Sequence, residues 1–410
     1  MSECAKLSSL PYRWVILLIM WSTMCVALIA QFQVAALAYQ IIPDFKLTSG
    51  QYGMVLTAPM LAGLFFSFPA GALADRWGVK RVVAVGFVFS IVGTFFRFSA
   101  ENFLQLFILM FLAGICPGFL NANAPKLLGA WFSKAQMGMA MGIYFSATGV
   151  GMGIALATTA LFPSTKSAFI AAGIAMLVIW LLWMLFIKAK PEGAPDLPVM
   201  PVTKYIGVAA GSKNVWLVGV ALMFFMGSSM AFSGFLPNAL HSEQGLRPAA
   251  AGFMASIVTF GTVVGSILGP VISRRTGKLR PFLALVAVLG AAAGILAWLA
   301  PQGIVMPALF ALLGIMLGMC APILMSFPML LPEIGPVYAG SAGGIIGTLQ
   351  VVGGVCIPSF IITPLAGQNY TLFFALGSLC FFLVSVVVLL LPELGAKSQA
   401  KVGADLAEAM

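Results

Sequence analysis

In the stretch LNANAPKLLGAWF (120–132), two carboxamides and one cation stand on a background of apolar and small residues: Asn121, Asn123 and Lys126. Lys126 follows Asn123 by three positions, so on a helix the two share a face. A cation so placed can attract an anion, or it can carry its charge to a headgroup layer along its own apolar stem. The asparagines need hydrogen bonds if they are buried, from a ligand or from a neighbouring helix. The other uncharged candidates are Gln31 and Gln33, Tyr144, Ser229 and Ser233, and Ser326. An interfacial role suits the glutamines, Tyr144 reads as ligand-facing or as core, and the serines can bond carbonyls of their own helical turn. Of these, Asn121, Asn123, Lys126, Tyr144, Gln33, Ser229, Ser233 and Ser326 form the candidate solute-binding set.

The eleven Asp and Glu residues all fall in short polar stretches, tails or the ends of apolar runs. A carboxylate proton relay in the middle of such a run is therefore not expected. His241 is the one histidine, and neither HExxH nor GxxxxGK[ST] occurs. A metallohydrolase and an ATP-driven pump lack their chemistry, and an enzyme is not expected. The six cysteines form no CxxC pair, so no metal and no cofactor are implied.

The elements that must position these residues are membrane spans. Charged residues make up 8% of the chain and hydrophobic ones 61%, against about a quarter charged in soluble domains. Apolar runs long enough for a bilayer, about 20 residues each, occur at 14–37, 50–73, 81–99, 103–128, 137–161, 167–187, 215–239, 248–272, 280–299, 303–331, 337–363 and 370–392. They are continuous and do not alternate, so the predicted fold is an all-α membrane protein with twelve transmembrane helices. The first run is too long for the apolar core of a signal peptide, and eleven more follow it. With the N-terminus inside, seventeen of the 21 Lys and Arg residues fall on the inner side and four on the outer. This bias places both termini in the cytoplasm. It also accounts for the net charge of +10 without a nucleic-acid partner, and it implies contact with membrane lipids. Arg97 follows Arg81 by sixteen positions, about 24 Å along a helix, and is expected to snorkel to the outer headgroups.

The spans are written twice. At an offset of 199, Leu47 matches Leu246, Gly53 matches Gly252, Thr57 matches Ser256, Gly78 matches Gly277 and Arg81 matches Arg280; at 200, Gly114 and Gly118 match Gly314 and Gly318. Ser326 is in this sense the counterpart of Lys126. The domain reading is an N-terminal six-helix bundle (1–187), a cytoplasmic linker rich in Pro and charge (188–214), a C-terminal six-helix bundle (215–392) and a tail (393–410). Glycines four apart recur at 114/118, 149/153, 261/265/269, 314/318 and 340/344, a spacing that lets helix backbones approach closely.

Between the second and third spans lies GALADRWGVKR (71–81), and its second copy, PVISRRTGKLR (270–280), has Arg274 where the first has Asp75. A tight turn between helices needs glycine, and basic residues suit headgroups. The odd member is Asp75, whose carboxylate can take hydrogen bonds from a helix N-terminus. The pattern formed by Gly71, Leu73, Asp75, Arg76, Gly78, Lys80 and Arg81 resembles the signature loop of the major facilitator superfamily, and the resemblance extends over essentially the whole chain. Residues 125–153 resemble its organic-anion and nitrate-porter-like branches.

The resemblance implies a secondary transporter in the cytoplasmic membrane, monomeric, with a central cavity lined by the first and fourth helices of each half and worked by alternating access. It makes Gly71, Asp75, Arg76, Gly78, Lys80 and Arg81 a conformational latch, and it sets the glycine faces of the fifth, eighth and eleventh spans between the bundles, while close packing within one bundle stays open as the alternative for those glycines. The chain departs from the pattern where Met110 replaces a common fourth-helix arginine, and where GVGMG (149–153) lacks a proline. Both departures count against proton-driven drug export, and the lack of arginine within the second and eighth spans counts against a nitrate porter. The reading is a carrier of a small organic or inorganic anion. A carrier of a neutral or zwitterionic metabolite, and a non-transporting sensor on the same fold, stay open.

Overall fold

A computed structural model describes residues 11–132, 134–188, 208–331 and 333–393. The predicted linker falls largely outside the described residues, as do the tail beyond Glu393 and the side chains of Asp75 and Arg274. Among the described residues the secondary structure is helical, and eleven helices are long and apolar enough to cross a membrane. The 29-residue helix Ser49–Trp77 covers the second expected span. The all-α, twelve-helix fold is therefore as expected.

Caps start several of these helices. Thr48 and Gln51 form a capping box ahead of Ser49–Trp77, with Gln51 N–H donating to Thr48 Oγ1 at 3.2 Å and Thr48 N–H donating to Gln51 Oε1 at 2.9 Å. Ser164 and Ser167 do the same for Thr165–Phe186. Asn102 and Asn369 cap the fourth and twelfth spans. Each such cap satisfies amide groups that a helix end leaves without partners.

Packing divides the chain into two compact units, Met1–Met200 with Leu240–Ser256, and Pro201–Ala239 with Ile257–Met410. In the first, the first span (Tyr12–Ala36) packs on the fifth and sixth, the second on the fourth, and the third on the fourth and sixth. Its core includes Phe87, Leu120, Leu128, Tyr144, Met176 and Trp183. In the second unit, the ninth span (Leu279–Leu299) packs on the tenth and twelfth.

The repeat seen in the sequence is also a repeat in packing. A Cβ on Gly114 would lie 2.2 Å from the Pro59 carbonyl oxygen, and one on Gly314 would lie 2.1 Å from that of Val258. Gly118 sits likewise on Gly63, and Gly318 on Thr262. Within each unit, then, glycines of the fourth span of that half meet the second span at matching positions, where any side chain would collide. One expectation is corrected here: Gly261, Gly265 and Gly269 of the eighth span meet Ala311, Ile315 and Met319 of the tenth. They are packing residues inside their own unit, because tenth-span backbone already fills the space in front of them.

The fourth span is broken. Helix Phe103–Ala113 ends at Gly114, and Ile115–Trp131 begins beyond it. Pro117 has no N–H to give to the Ala113 carbonyl. Ser90 of the third span supplies the missing bond, donating to Ala113 O at 2.8 Å, and its hydroxyl oxygen accepts from Cys116 N–H at 2.9 Å. One buried hydroxyl thus seals a break that sets the direction of the segment carrying Asn121, Asn123 and Lys126.

Candidate functional site

The open face of the fourth span after its break differs in chemistry from a lipid face. Along Ile115–Trp131 the exposed positions are Asn121, Ala122, Pro125 and Gly129, with Pro117, Lys126 and Ala130 half-buried. Its large apolar side chains, among them Phe119, Leu120, Leu127 and Leu128, are buried. Hydrocarbon favours the reverse arrangement, as earlier in the same span, where Leu104 and Ile108 are exposed. A small, polar face within a membrane-spanning helix fits a water-lined path.

Asn121 is the polar centre of this face. Its Oδ1 accepts from the hydroxyl of Tyr144 on the fifth span at 2.7 Å. Tyr144 is fully buried, so only its polar end is engaged and its ring belongs to the core. Two residues on, the same side chain has another fate: Asn123 is 1% exposed, and its amide donates to Phe119 O at 2.9 Å and to Ala70 O at 3.4 Å. Asn123 ties the fourth span to the second. The first span joins the fifth two residues beyond Tyr144, where Trp21 Nε1 donates to Ser146 Oγ at 3.0 Å.

The remaining candidates do not join this group. Gln33 is buried, donating to Ala168 O at 2.9 Å and accepting from Arg97 at 3.3 Å. Gln31 is buried and donates to Leu56 O at 3.1 Å. Both glutamines therefore bond into the bundle. Ser233 donates to the Ser229 carbonyl and Ser326 to Ile323 O, so in the second unit both hydroxyls bond their own turn. Ser229 is half-buried and Ser326 exposed.

Arg97 corrects the sequence reading most. It is 1% exposed and does not reach a headgroup layer. Helix Val79–Phe95 tightens into a 3-10 turn at Phe96–Ser99. Side chains on a right-handed helix lean toward its N-terminus, so an arginine at the C-terminal end of a span leans back into the bundle. Spacing alone does not carry that direction.

The signature loop shows why it needs glycine. Gly78 has φ 82° and Gly277, its repeat partner, φ 67°. Lys80 Nζ donates to Met184 O at 2.7 Å, and Trp183 Nε1 donates to Lys80 O at 3.1 Å, which fastens the loop to the sixth span. In the second copy the corresponding helix start is held by a carboxylate: Glu393 accepts from Leu279 N–H at 2.8 Å and from Arg280 N–H at 3.2 Å. Arg76 and Arg81 are exposed, and no atom of the described residues lies near the space a side chain on Gly71 would fill.

Twelve long helices, a repeat expressed in both sequence and packing, and a polar face within a span define a multi-pass transporter. Residues 19–358 match the Major Facilitator Superfamily, and the chain belongs to that family. It is 26% identical over 373 residues to the probable sulfoacetate transporter SauU of Cupriavidus necator, covering 84% of this chain and 86% of that one. It is also 26% identical over 373 residues to the probable nitrate transporter NarT of Staphylococcus epidermidis, with 86% and 90% covered. A solved bacterial homologue of the human lysosomal transporter Spinster shares the fold, with a TM-score of 0.72 at 16% identity over 93% of this chain and 96% of that one.

Proposed function

We propose that this transporter carries a small organic or inorganic anion across the cytoplasmic membrane by alternating access, receiving it at Asn121 and Lys126. The observation that carries the reading is the open face of the fourth span, which bears a carboxamide and a cation among small residues and no carboxylate. Lys126 supplies positive charge, and Asn121, held in place by Tyr144, supplies amide donors for an oxyanion. Relatives described as transporters of sulfoacetate, nitrate and glycerol-3-phosphate support the same class, because each of those solutes is an anion. In this reading both termini are cytoplasmic, the protein works as a monomer, and the 71–81 loop is a latch that opens and closes with the transport cycle.

The test is a thermal-shift and counterflow panel on purified protein, using nitrate, acetate and sulfoacetate beside neutral acetamide and a sugar. A ligand that binds only the folded state raises the melting temperature by mass action. The expected result is stabilisation by an anion, lost in Lys126→Ala and partly kept in Lys126→Arg. Stabilisation by neutral compounds alone, equal in wild type and Lys126→Ala, would return Lys126 to an interfacial anchor and favour a neutral solute.

A further inference from the structure

Among the described residues Arg97 is the charged side chain buried most deeply in the first unit, at the end opposite the 71–81 loop. Its guanidinium donates to Ala30 O at 2.6 Å, Thr94 O at 3.1 Å and Gln33 Oε1 at 3.3 Å, and meets Met110 Sδ at 3.4 Å. It lies over the Phe169 ring, 4.4 Å from the centroid. Its recorded partners are carbonyls, an amide, a thioether and an aromatic face; no carboxylate is among them. Asp44, Glu101 and Glu243 are exposed.

Burying a cation is costly, and a neutral donor of similar shape could bond the same carbonyls without that cost. A guanidinium keeps its proton at neutral pH. The structure therefore holds a permanent charge where hydrogen bonding alone does not require one. Little solvent reaches it, so its field is weakly screened.

We propose that Arg97 is a specificity-determining positioning residue: its fixed buried charge strengthens binding of an anion at the Asn121 and Lys126 face without touching the anion. This rests on the anion reading given above. Met110 touches Arg97, and Asn121 lies eleven residues further along the same span, about 17 Å at 1.5 Å per residue. With an effective dielectric constant of about 20, Coulomb's law gives roughly five-fold in affinity for a monoanion at that distance. The free energy scales with ligand charge, so a dianion gains roughly the square of that factor, about 25-fold.

The experiment measures counterflow in proteoliposomes with nitrate as monoanion, sulfoacetate as dianion and acetamide as neutral probe. Arg97→Gln keeps amide donors and loses the charge. It is expected to weaken nitrate about five-fold and sulfoacetate about 25-fold while leaving acetamide unchanged. Arg97→Met with Met110→Arg returns a guanidinium to the same pocket from the fourth span and is expected to restore the graded preference. Arg97→Met with Met110→Gln, its uncharged twin, is expected not to restore it, and this pair decides the matter if Arg97→Gln does not fold. Equal losses for all three probes, or no change in a folded uncharged variant, would overturn the proposal and leave Arg97 a structural tie. A wild-type protein that moves acetamide and neither anion would instead sink the anion reading itself, and this proposal with it.

Discussion

Asn121 and Asn123 are two positions apart and face opposite surroundings, the one exposed and bonded to Tyr144, the other buried between the second and fourth spans. Substitution should separate their roles. Asn121→Ala is expected to raise the KM for the transported anion several-fold, and to cost about 1 kcal/mol of stability because the buried Tyr144 hydroxyl loses this acceptor. Asn123→Ala is expected to cost about 1 kcal/mol of stability through its lost hydrogen bonds and to leave KM near the wild-type value. Counterflow and thermal unfolding of the two variants side by side check both halves of that statement.

Glu333 makes a second residue-scale prediction. Burial pushes its carboxyl up, but hydrogen bonds from Asn214, its own backbone and Ser212 outweigh that and hold it below the ordinary value of 4.5. A carboxylate whose folded value is depressed contributes stability above its unfolded value, and the contribution fades as pH falls through the folded one. The melting temperature of wild type should therefore exceed that of Glu333→Gln at pH 7, and the gap should narrow below about pH 4.5. The difference will be small because the side chain is exposed. A gap that widens on acidification would contradict the assignment.

At the scale of elements, the turns and breaks between helices place the site. Gly78 adopts φ 82° and ψ 146°, a region essentially reserved for glycine. Gly78→Ala should cost about 1–3 kcal/mol, and Gly277→Ala should also be strained, whereas Gly71 lies inside helix Ser49–Trp77 with no atom of the described residues in the way, so Gly71→Ala should keep or raise stability, by up to about 1 kcal/mol. Thermal unfolding of the three variants tests whether these motif glycines serve the backbone alone. If Gly71→Ala keeps its stability and loses transport, Gly71 has a part in the moving latch that the static packing does not require. The break at Pro117 belongs to the same scale. Its proline is visible in the chain, while the hydroxyl that seals it comes from Ser90, in another span.

At the scale of the whole molecule, the charge distribution makes a prediction about orientation. Seventeen of 21 basic residues lie on one side of the expected topology. A fluorescent protein fused after Met410 should fold and emit in the cytoplasm, while an alkaline phosphatase fusion at the same point should be inactive. The opposite pair of results would invert the topology and exchange the inner and outer assignments of every loop.

The amino-acid sequence by itself determined that the chain is helical and crosses a membrane many times. It also determined that the chain is a doubled unit and that a glycine-dependent turn lies within 71–81, at Gly78. These follow from hydropathy summed over long segments, from charge counts and from backbone limits on glycine, all local or additive properties of a chain. Tertiary structure decided which polar residues face open space. Asn121 and Asn123, Gln33 and Arg97 differ in direction as well as in type, and direction depends on where each helix ends, breaks and finds a neighbour. Arg97 shows the limit: its spacing from Arg81 gives a depth, and only the 3-10 turn and the carbonyls of the first and third spans turn that depth into burial.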